Sequence, residues 1–134
     1  MKKDINFQPV ENILVGVVLS NDNTADPEWQ VYIINRNTEK LETLMITSRG
    51  YGTKDGEEQK TSVLRHSVPY LEAGEYALIE TIQPEVFHLN NEYWVSYYIG
   101  SQIYDKKFIF VPDTIKEENL SPIKELGLRG VLHP

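Results

Sequence analysis

YWVSYYIGSQIYDKKFIFV, residues 93–111, carries the strongest local structural signal in the chain. Two runs rich in aromatic and β-branched residues flank Gly100-Ser101-Gln102, and a short connection containing glycine between such runs predicts an antiparallel hairpin. The period of two places Tyr93 and Tyr97 on one face and Trp94 and Tyr98 on the other. One face belongs in a core. The other either forms an exposed stacking platform or lies beneath the apolar C-terminal segment, and the second is the expectation.

Strand signals recur upstream of the hairpin, separated by turn chemistry, while long amphipathic helical patterns are absent. Residues 10–20 read as a strand with both faces covered, or with Gly16 marking a close approach. Further strands are expected at 29–36, 41–49, 61–68 and 76–82, with Pro69 ending the fourth as an edge. With the hairpin this makes about seven strands, so the fold class is all-β, an antiparallel seven-stranded immunoglobulin-like β-sandwich. A closed barrel is the rival arrangement.

The last 23 residues change character. In SPIKELG, residues 121–127, serine stands at a plausible N-cap, proline at the first helical position and glycine at the stop, which predicts a short helical tail. Ile115, Leu120, Ile123, Leu126, Leu128, Val131 and Leu132 make this segment too apolar for a solvated end. The expected organisation is a sandwich domain over 1–111 with a C-terminal extension, 112–134, packed on it or meeting a partner.

Composition narrows the function classes. The 134 residues contain no cysteine, which removes disulfides, thiolate ligands and thiol nucleophiles and fits a reducing compartment. A formal net charge of -7 makes direct nucleic-acid binding an unfavoured expectation. Met1-Lys2-Lys3 before the apolar run 13–19 imitates a signal peptide, but the run is short and Asp4 and Glu11 interrupt its approach. The reading is a strand and a cytoplasmic address, with no stretch near the roughly 20 apolar residues of a membrane span.

SRGYGTKDGEEQKTSVLRH, residues 48–66, is the unusual segment. A phosphate-binding loop needs lysine directly after its second glycine and a helix beginning there, whereas Gly56 is followed by Glu57 and Glu58. Gly50 and Gly52 open no helix, which removes the dinucleotide fingerprint, and Tyr51 and Thr53 occupy positions an EF-hand needs acidic. Residues 49–66 nevertheless carry four basic and three acidic side chains, formally +1, while the rest of the chain is formally -8. The segment reads as a long, locally basic connector between strands, and its length moves weight toward function. The candidate contact residues are Arg49, Tyr51, Lys54, Lys60, Arg65 and His66, together with Trp94 and Tyr98.

Catalytic and metal motifs are not found. His66, His88 and His133 have no metal-ligand spacing, no nucleophile elbow is present, and the acidic connector NDNTADPE follows no calcium-loop pattern. No cofactor, metal or catalytic residue is therefore expected. The leading expectation is a non-enzymatic cytoplasmic protein-interaction sandwich, alone or as a homodimer. The alternatives are a small anionic-ligand or nucleotide-binding protein using residues 49–66, and a synthetase-related or RNA-associated accessory protein.

The last alternative comes from a resemblance. At SRGY (48–51), KTSVLRH (60–66), LNNEYWVSYY (89–98), KKFIF (106–110) and GVL (130–132), the chain resembles a group of short bacterial proteins of this length. Some of these carry the label of a phenylalanyl-tRNA synthetase subunit. The arginine-bearing and glycine-rich motifs of a class II synthetase are not among these residues, so the resemblance implies an accessory role and carries over no functional residue.

Overall fold

The structure is a computed structural model and describes residues 7–20 and 25–134; the signal-like start at 1–3 and the first part of the NDNTADPE connector lie outside them. Ten strands are described: β1 (Ile13–Ser20), β2 (Glu28–Asn35), β3 (Leu41–Lys54), β4 (Glu57–Lys60), β5 (Leu64–Leu71), β6 (Tyr76–Ile82), β7 (Asn90–Ile99), β8 (Gln102–Phe110), β9 (Ser121–Ile123) and β10 (Leu128–His133). Pairing is antiparallel throughout and makes two sheets. The first runs β6-β2-β1-β10-β9; the second runs β3-β7-β8, with β4 and β5 end to end along the free side of β3.

Between the sheets lies one core. Ile13, Val15, Val17, Val31 and Ile33 of the first sheet meet Leu41, Leu44, Ile46, Tyr93, Val95, Tyr97 and Phe108 of the second, all at 1% exposure or less. The hairpin predicted at residues 93–111 forms as β7 and β8, with Gly100 at φ 59° in its turn. Its Tyr93 and Tyr97 are the core pair. Buried Asn35 closes one end of the fold: its Nδ2 donates to Glu39 O, Leu71 O and Glu72 O at 3.0–3.1 Å, and its Oδ1 accepts from Asn37 N at 2.9 Å.

The count of seven strands is corrected to ten among the described residues: β4 adds one, and β9 and β10 of the C-terminal segment add two. Residues 49–66 are not a loop. β3 continues to Lys54, turns at Asp55 (φ 54°) and Gly56 (φ 80°), and returns as β4. Two consecutive positive-φ residues make the tight hairpin turn that Asp-Gly favours, so apart from that turn only residues 61–63 of this segment lie outside strands. β5 also runs past Pro69 to Leu71, because Pro69 sits in a strand that pairs on one side alone.

The helical tail is absent. Ser121–Ile123 is a strand and Gly127, at φ 64°, closes a turn in which Leu126 N and Gly127 N both donate to Ile123 O at 3.1 and 3.0 Å. A helix of one or two turns is marginal in isolation. Extending the chain instead lets β10 pair with β1 and lets Ile123 join Leu14, Val18 and Ile34 in a second cluster on the outer side of the first sheet. Leu126, Leu128 and Leu132 pack against that cluster. Both faces of β1 are thus covered, and Gly16 is also a close approach, since a Cβ there would meet Ile123 Cδ1 and Leu132 Cδ1 at 3.2 Å.

Candidate functional site

Alternation along β3 sorts the candidate residues. Ile46 and Ser48 face the core, so Met45, Thr47, Arg49 and Tyr51 face outward. Register then assigns their neighbours: Arg65, Thr47, Trp94 and Lys107 form one row, Ser67, Met45, Ser96 and Asp105 a second, and Tyr70, Glu42, Tyr98 and Ile103 a third. Lys60 lies opposite Tyr51. Six of the eight candidates, Arg49, Tyr51, Lys60, Arg65, Trp94 and Tyr98, therefore share the outer face of the second sheet. Lys54 stands apart at the hairpin tip opposite Glu57, and His66 pairs with Ile46 on the inner face.

This outer face is open. Met45 is 47% exposed, Trp94 43%, Tyr98 38% and Tyr70 55%. The C-terminal segment does not cover Trp94 and Tyr98, a correction to the expectation, because β9 and β10 lie on the first sheet. Trp94 is held in place: its Nε1 donates to Asp105 Oδ1 at 2.7 Å and Lys107 Nζ sits 4.5 Å from the ring centroid. Between Met45, Thr47, Trp94, Ser96 and Asp105 is a shallow hollow of about 240 Å³. Nearby, Arg49 Nε donates to buried Glu92 Oε2 at 3.1 Å, Tyr51 Oη donates to Glu92 Oε1 at 3.3 Å, and the guanidinium lies 5.0 Å from the Tyr51 ring.

A second constellation sits at the open edge between the sheets, where β6 faces β5. Along β6, Val31 pairs with Glu80 and Tyr32 with Leu78, which leaves Ile79 as the extra residue of a bulge. The bulge turns both Ile79 and Glu80 inward, since Val31 is a core residue and its partner shares its face. Glu80 then reaches three strands of the other sheet. Its Oε1 accepts from Ser48 Oγ at 2.8 Å and from His66 Nε2 at 2.9 Å, and its Oε2 accepts from Tyr93 Oη at 2.9 Å. Burial first, then the Glu80 charge, pushes the Tyr93 phenol far above its ordinary range, so it remains a donor.

Beside Glu80 is a cavity of about 380 Å³, walled by Leu64, Ile82, Val86 and the Tyr93 ring, with Ser62 and Gln83 also lining it. It opens because β3, still paired with β7, loses its partner on the β4–β5 side between Ser48 and Tyr51, where residues 61–63 leave the ladder. Gly50 belongs there: its N donates to Thr61 Oγ1 at 2.8 Å, and a Cβ would meet Thr61 Cγ2 at 3.0 Å. The Ser48 hydroxyl is directed at the carboxylate and not at His66, so the set does not have the nucleophile-to-base contact of a hydrolytic triad.

Sequence reasoning missed Ser48, Glu80 and Tyr93 as a group. One signal was present: Ile79 and Ile82, three residues apart in a strand, cannot both be buried on one face without a bulge between them. No family model, curated protein or solved structure matches the chain. The fold and site therefore define the class on their own terms, an all-β protein of two antiparallel sheets, with the C-terminal segment over part of the first sheet's outer face and the second sheet's outer face open.

Proposed function

We propose that this is a non-enzymatic, cytoplasmic β-sandwich that acts by binding a protein partner through the outer face of its second sheet. One observation carries the reading: Ile123, Leu126, Leu128 and Leu132 of the C-terminal segment pack over Leu14, Val18 and Ile34 on the first sheet, leaving Tyr76 and Leu78 exposed at its β6 edge, while none of the described residues covers Met45, Trp94, Tyr98 and Tyr70 on the second. Large apolar and aromatic side chains exposed together on one sheet face and interleaved with polar ones fit an interaction site, and Trp, Tyr, Met and Arg are the residue types enriched at protein interfaces. Trp94, fixed by Asp105 and Lys107, is ordered before any partner arrives, which lowers the entropic cost of docking.

The alternatives draw less support. An anion site built from residues 49–66 would need Arg49, Lys54, Lys60, Arg65 and His66 to converge, whereas Arg49 is engaged by Glu92 and His66 faces the other way. An RNA-associated role faces the net charge of -7 and the cations already stacked on Trp94 and Tyr51. As architecture, two facing antiparallel sheets support the immunoglobulin-like reading. The cytoplasmic address rests on the cysteine-free sequence; among the described residues no helix is long and apolar enough to cross a membrane.

Affinity capture from the native cell tests the proposal, comparing the parent protein with a Met45→Ser, Trp94→Ser double variant. A stoichiometric protein partner, or a second copy of the chain seen by sedimentation, should be retained by the parent and lost by the variant at unchanged thermal stability. A partner-free monomer, or a partner held equally by both proteins, overturns it.

A further inference from the structure

We infer that the edge cavity beside Glu80 is a binding site for a small organic ammonium, a primary amine carrying a compact aromatic or branched apolar body. The inference is independent of the protein-binding face, which lies on the other side of the second sheet.

Glu80 carries the argument. It is a carboxylate 14% exposed, placed at the sandwich edge by a bulge that breaks the regular pairing of β2 with β6. A hydrophobic side chain there would close the edge without the desolvation penalty of a buried charge, which is often the more stable choice. The fold instead surrounds the acid with Ser48, His66 and Tyr93. A carboxylate offers about four acceptor positions, and three are occupied here. Oε1 takes two bonds and Oε2 takes one, so an acceptor position remains on Oε2, and Glu80 itself lines the cavity.

The walls decide the rest of the ligand. Leu64, Ile82, Val86 and the Tyr93 ring provide an apolar enclosure, and about 380 Å³ lies in the range of small-molecule pockets. The lining offers no cationic head to receive an anion: Arg49 contributes to the wall, but its guanidinium is turned to Glu92 on the outer face. His66 is the one other titratable group at the carboxylate apart from Tyr93, and it already bonds Oε1. An apolar chamber ending in a carboxylate with a remaining acceptor position selects a donor, and a positively charged donor above a neutral one.

Nitrogen-15 heteronuclear NMR titration of the whole protein with phenethylamine, 2-phenylethanol and 3-phenylpropionate tests this directly. Phenethylamine should move the amides of Ser48, Gly50, Leu64, Glu80 and Tyr93 in a saturable way, binding at least tenfold more tightly than the alcohol, with the carboxylate weakest. Leu64→Trp, which fills the chamber from its partly exposed rim, should abolish these shifts while the spectrum stays folded. Glu80→Gln should erase the preference for the amine over the alcohol. The inference is overturned if 3-phenylpropionate binds as well as the amine, if phenethylamine shifts survive Leu64→Trp, or if phenethylamine moves none of these amides up to its solubility limit. The comparison of three ligands on the parent protein decides the matter even if Glu80→Gln does not fold.

Discussion

The Tyr93 phenol donates a 2.9 Å hydrogen bond to Glu80 Oε2, joining the central strand of one sheet to the edge strand of the other. Removing that donor leaves Glu80 with Ser48 and His66 alone. Tyr93→Phe should lower stability by roughly 1.5–3 kcal/mol, the range for a hydrogen bond to a charged group, as read from urea unfolding at pH 7.

The same phenol sets an alkaline limit. Its folded pKa is raised by burial and by Glu80, so its contribution is intact below the unfolded tyrosine value and is lost as pH rises above about 10. Tyr97 shifts in the same direction, through burial first and then Tyr104. Unfolding free energy should therefore fall with rising pH above about 10. The fall should be shallower in Tyr93→Phe, and an equal slope in the two proteins would contradict the assignment.

Asn35 is a second polar keystone, fully buried and bonded to four backbone groups that tie the end of β2 to the connection between β5 and β6. Asn35→Leu keeps the volume and strands those groups. A loss on the order of 3 kcal/mol is expected from denaturant midpoints, with no change in the denaturant slope.

Gly130 permits the last strand to dock. A Cβ there would lie 2.7 Å from Val18 Cγ1, 2.8 Å from Val17 O and 2.9 Å from Ile123 Cδ1. Backbone and two packed side chains cannot all yield, so Gly130→Ala should cost about 1–3 kcal/mol and speed hydrogen exchange in β10 and β1 ahead of β7.

Arg36 and Glu125 form a two-point ion pair, with Nε to Oε2 at 2.7 Å and Nη2 to Oε1 at 3.0 Å, fastening the C-terminal turn to the end of β2. The bond from Arg36 holds the Glu125 carboxyl below its ordinary value. Its stabilisation is thus present at neutral pH and is lost as pH falls below roughly 4. Arg36→Ala should raise the Glu125 pKa in a carbon-13 carboxyl titration and cost no more than about 1 kcal/mol, less in high salt.

Alternation made the hairpin at residues 93–111 readable with its core face, and the two-residue period by itself separated Tyr93 and Tyr97 from Trp94 and Tyr98. Asp55-Gly56 was equally legible as a tight turn, yet the charge of the surrounding residues drew attention to a loop that does not exist. SPIKELG failed for a different reason: its capping signals are real, but β1 presented an unpaired edge and an apolar outer face, and satisfying both required an extended chain.

What the amino-acid sequence determined by itself was local: which residues are extended, where the chain turns, and which side chains share a face, because these follow from a two-residue period and from glycine and proline geometry. Tertiary structure alone decided which sheet the C-terminal strands join, and so which aromatic face stays open. It alone brought Ser48, His66, Glu80 and Tyr93 together from four strands and two sheets. Contacts between residues far apart in the chain depend on strand order and on one bulge, and neither leaves more than a faint trace in the local pattern that periodicity reads.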